Sequence, residues 1–163
     1  EDYTETEARG IKIENDANES LNEVKREKPD QCCFKKRLID GFLVGACRAM
    51  YKDVLPIDLD SKEVKKRNSV NLPDLKDFEN IMFYIKIIAY AHNLKEAGRD
   101  EYKVRLAHKV LIDKSKCIEL AEKYFKGGWT RPKEGNFQEI CESDAPDSSL
   151  LNDFNYIQWK DEE

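Results

Sequence analysis

Phe78 to Gly98 reads FENIMFYIKIIAYAHNLKEAG. Phe78, Ile81, Met82, Ile85, Ile88, Ala89 and His92 recur at helical spacing, and Phe83, Tyr84, Ile87 and Tyr90 make the other side apolar as well. A helix that is apolar all round belongs in a core. Asp74 is a cap candidate ahead of it, and Gly98 suits the left-handed position that ends a helix. The stretch predicts a central helix near residues 75–97, with the fold built round it.

The same periodicity recurs on both sides. Ile13, Ala17, Leu21 and Val24 predict an amphipathic helix over 13–28, stopped by Pro29, with Asp30 placed to cap the next. Residues 1–12 show no period and are expected to fray. A second helix over 31–52 carries Phe34, Leu38, Phe42 and Ala46 on one stripe, widened by Ile39, Leu43, Cys47 and Met50. Gly41 and Gly45 cost helix propensity there, so they point to close approach by another helix. Residues 53–73 read as a connector with a short helix over 61–67. After the central helix, 99–126 is helical again, with Leu106, Val110, Cys117, Leu120, Ala121 and Phe125 inward. Gly127-Gly128 predicts a stop and 129–135 a loop. The tail over 127–163 holds short helices, one over 136–142 and a last one with Leu150, Leu151, Phe154, Ile157 and Trp159. Strand signals are nearly absent. The expectation is one all-α domain over 1–163, an irregular bundle of five to seven helices.

The chain has 163 residues, 40% hydrophobic and 37% charged, enough to enclose a core under a charged surface. No apolar run reaches the roughly 18 residues of a membrane span, so no membrane insertion is expected. The net charge of −5 is uneven. Residues 1–30 carry ten acids and five bases, residues 141–163 seven acids and one base, and the middle 16 acids and 22 bases. Lys35-Lys36-Arg37 and Lys65-Lys66-Arg67 are short basic clusters outside any recognised nucleic-acid module, so no nucleic-acid partner is expected.

Cys32, Cys33, Cys47, Cys117 and Cys141 form no zinc spacing. Adjacent helical residues point about 100° apart, so a Cys32–Cys33 bond would be strained. Cys33 and Cys47 share a face nearly four turns apart. The expectation is two long-range disulfides among Cys33, Cys47, Cys117 and Cys141, of unknown pairing, with Cys32 a free thiol. Such a staple implies an oxidising, extracellular compartment. A start at Glu1 suits a processed, secreted chain, and a spare cysteine permits a covalent dimer.

No nucleophile elbow, phosphate loop or metal constellation emerges, so no catalytic residue, cofactor or metal is expected. Asp58-Leu-Asp60-Ser61 lacks the later glycine and glutamate of a calcium loop. Asn18-Glu19-Ser20 is a glycosylation sequon, which makes Asn18 a candidate acceptor. Tyr84, Tyr90, His92, Tyr102 and Tyr124 are candidates to line a ligand cavity. Phe154, Tyr156 and Trp159 form a candidate partner patch.

The acidic opening EDYTETEARG, the helix CCFKKRLIDGFLVGAC and the sparse later Cys117 and Cys141 together resemble the small all-helical, disulfide-linked salivary proteins of blood-feeding insects. The nearest types are the helical C-terminal domain of the mosquito 30 kDa antigens and the mosquito neutrophil-stimulating factor; the Gly-Glu repeats of those antigens are missing here. The resemblance implies a secreted, non-enzymatic protein of saliva. Such a protein binds a host extracellular or cell-surface protein and modulates haemostasis, inflammation or leukocytes. A small hydrophobic-ligand carrier of the odorant-binding kind and an intracellular helical adaptor are the alternatives. The first lacks its usual Cys-x3-Cys spacing, and the second requires five free thiols.

Overall fold

Helical periodicity becomes helix over most of the chain. The computed structural model describes residues 2–27, 37–58 and 67–160. In order these form β1 (Ile11–Glu14), α1 (Asn15–Glu27), α2 (Leu38–Tyr51), β2 (Arg67–Val70), α3 (Phe78–Ala97), α4 (Glu101–Leu106), α5 (Lys114–Thr130), α6 (Phe137–Glu142) and α7 (Pro146–Lys160). Tight 3-10 turns at Leu72–Asp74 and Ala107–Ile112 lead into α3 and α5. The protein is all-α in character, with one short antiparallel ribbon among the described residues that pairs Ile11 with Val70 and Glu14 with Arg67. The short helix expected over 61–67 lies almost wholly outside the described residues; Arg67 itself begins β2.

The centre of the bundle is α5 against α2, not α3 as the sequence predicts. Cys117, Ile118, Leu120, Ala121, Tyr124, Phe125 and Trp129 are all buried along α5. Phe125 lies with its ring centroid 5.1 Å from Phe42 of α2 and 5.8 Å from Trp129, and Phe137 of α6 closes the cluster 6.0 Å from Trp129. Aromatic pairs at such spacings gain about 1 kcal/mol beyond their buried area.

Glycines set how near the two helices come. The expected stop at Gly127-Gly128 does not occur, and α5 runs through both to Thr130. A Cβ on Gly127 would lie 2.5 Å from the Leu55 carbonyl oxygen, and one on Gly128 2.7 Å from the Ala49 Cβ. A Cβ on Gly45 would lie 2.7 Å from the Phe137 ring. These glycines serve close contact with α2, α6 and the Leu55–Pro56 segment rather than helix termination, so the loop expected from Trp129 begins after Thr130 instead.

The opening residues are docked, not frayed. The Thr6 hydroxyl donates to Asp113 at 2.7 Å, and the Thr6 backbone N–H donates to the Ile112 carbonyl at 3.3 Å. Arg9 pairs with Glu122 of α5 at 2.6 Å, and the Lys12 N–H donates to the same carboxylate at 2.7 Å. β1 then buries Ile11 and Ile13 in the core. These partners lie more than a hundred positions downstream, beyond the reach of any local period.

At the other end, α7 is held by charge. Arg48 of α2, 1% exposed, donates through Nε to Asp153 at 3.0 Å and through Nη2 to the Gly135 carbonyl, while Lys52 contacts Asp153 as well.

The expected disulfide staple is not seen. No disulfide forms among the described residues: Cys47 faces outward on α2, whereas the Cys117 thiol sits in the core and donates to the Val110 carbonyl at 3.3 Å. Burial pushes that thiol up to about 11. Cys141 is buried in α6, and Cys32 and Cys33 lie outside the described residues.

Two substitutions test this packing. Gly127→Ala is expected to lower stability by about 2 kcal/mol, since the cost of displacing backbone exceeds the roughly 1 kcal/mol gained in helix propensity. Gly41→Ala meets the flexible end of Leu21 instead and is expected to stay near neutral; thermal melts separate the two by about 4–8 °C. Asp153→Ala leaves Arg48 buried without its counter-ion and is expected to cost about 3 kcal/mol in urea unfolding.

Candidate functional site

α3 buries one side and bares the other. Ile81, Met82, Ile85, Ile88 and Ala89 pack toward α5 and the Ala107–Ile112 turn. Phe83, Tyr84, Ile87 and Tyr90 are exposed by 61%, 52%, 47% and 37%, although the sequence places them in the core. Rings of Phe83 and Tyr84 meet edge-on, with centroids 6.0 Å apart. Side chains of this size expose together about 400 Å², within the range of the largest patch on an ordinary monomer and of a kind that is often functional. Asn80, Ala91 and Leu94 continue the stripe along the helix, with exposed Glu79 at one end and exposed Lys95 at the other. Lys95 contacts the Asp53 carboxylate and donates to the Met50 carbonyl at 3.3 Å.

A signal for this face exists in the sequence. The buried side of α3 holds only aliphatic and methionine side chains, whereas the bared side holds two tyrosines whose hydroxyls favour water.

Several buried polar groups link distant elements of the fold. His92 Nδ1 lies 2.6 Å from the Tyr124 hydroxyl, and burial raises that phenol to about 12. Lys126 of α5 contacts Glu14 of β1 in the interior, and burial pulls its ammonium down to about 8. Glu122 anchors Arg9 and the Lys12 N–H.

The five candidate cavity residues do not converge. Tyr84, Tyr90 and Tyr102 point outward, and Tyr102 is 71% exposed; His92 and Tyr124 bond to each other. Asn18 lies half-buried on α1, where its amide oxygen accepts from Asn22 at 3.2 Å, and Ser20 of the sequon is buried and donates to Glu142 at 3.4 Å. Phe154, Tyr156 and Trp159 fall on α7, but their side chains lie outside the described residues. Among the described residues no group of three or more His, Cys, Asp or Glu is placed to hold a metal, and no helix is long and apolar enough to cross a membrane.

No protein-family model, curated protein or solved structure matches the chain.

The His92–Tyr124 pair gives the fold an acid-side dependence. Burial holds the imidazole below its usual 6.5; nearby Lys123, Lys95 and Lys116 push the same way and Glu96 opposes them. The unfolded chain therefore binds the proton more readily. This part of the stability is complete above pH 6.5 and falls as pH drops toward the folded value. Urea unfolding between about pH 7.5 and about pH 5 is expected to show a smaller loss for His92→Gln than for the parent chain.

Proposed function

We propose that the chain is a secreted, non-enzymatic protein that acts by protein–protein contact. Its target is a host extracellular or cell-surface protein, through which it modulates haemostasis, inflammation or leukocytes. The observation that supports contact with protein is the bared aromatic face of α3, where four large side chains lie in water on a helix whose other side is well packed. Tyrosine and phenylalanine on a rigid helix give contact area at low entropic cost, which suits a protein interface. The salivary resemblance supports the compartment and the class of target.

The two-disulfide staple of Cys33, Cys47, Cys117 and Cys141 belongs to this reading. The second reading is an intracellular helical adaptor, favoured by the Cys47 and Cys117 thiols. A thiol count on native and denatured protein separates them: one free thiol supports secretion, and five support the adaptor.

Binding is tested with immobilised plasma and matrix proteins and with leukocytes and platelets. The parent chain is expected to bind saturably, Ile87→Lys to bind at least about tenfold more weakly, and the exposed-site control Tyr102→Ala to bind normally. Saturable binding unchanged by Ile87→Lys would remove α3 from the reading.

A further inference from the structure

We draw no further inference here: the strongest candidate, the exposed patch of Phe83, Tyr84, Ile87 and Tyr90 on α3, belongs to the site already described, and nothing in the structure shows what covers it.

Discussion

The close contact of α5 with α2 governs the rest of the structure. At Gly128 a methyl group would overlap Ala49 of α2, at Gly45 the Phe125 and Phe137 rings, and at Gly127 the Leu55 backbone that follows α2. That approach brings Phe42, Phe125, Trp129 and Phe137 into one aromatic cluster and fixes where α6 lies. It also pins the Leu55–Pro56 backbone against α5, where the Ile57 N–H donates to the Lys123 carbonyl at 3.2 Å. α3 packs on the outside of this pair and therefore has a side to spare.

Buried charge does a different job. The interior carries Glu14, Arg48, Glu122 and Lys126, each costly to desolvate alone. Every one meets a partner from a distant part of the chain: β1 with α5, α2 with α7, and the opening residues with α5. Such contacts select one arrangement of elements over other compact ones that bury similar apolar area, because a wrong register strands a charge.

The helices were legible because their apolar spacing is strong. The spacing places Ile81, Met82, Ile85, Ile88 and Ala89 inside, and all five are buried. Phe83, Tyr84, Ile87 and Tyr90 were not, because periodicity cannot separate core from contact surface when both sides of a helix are apolar. Gly127-Gly128 misled for a similar reason: glycine both ends helices and admits neighbours, and only the position of Leu55 and Ala49 decides. Docking of the first residues was invisible because it depends on Asp113 and Glu122, far off in sequence. Pairing of cysteines was beyond the sequence as well, since Cys47 turns outward while Cys117 turns in. The four large residues of the candidate site stand out in the sequence by their apolar spacing, but that spacing carries no sign of which side of the surface they take.

The Arg48–Asp153 contact has a consequence for synthesis. Arg48 leaves the ribosome 105 residues ahead of Asp153. Helices α1 to α5 can meet their apolar partners ahead of that, but the guanidinium lacks its counter-ion until α7 has left the exit tunnel. Sealing of that corner therefore waits until α7 has emerged, whatever has already packed around α2.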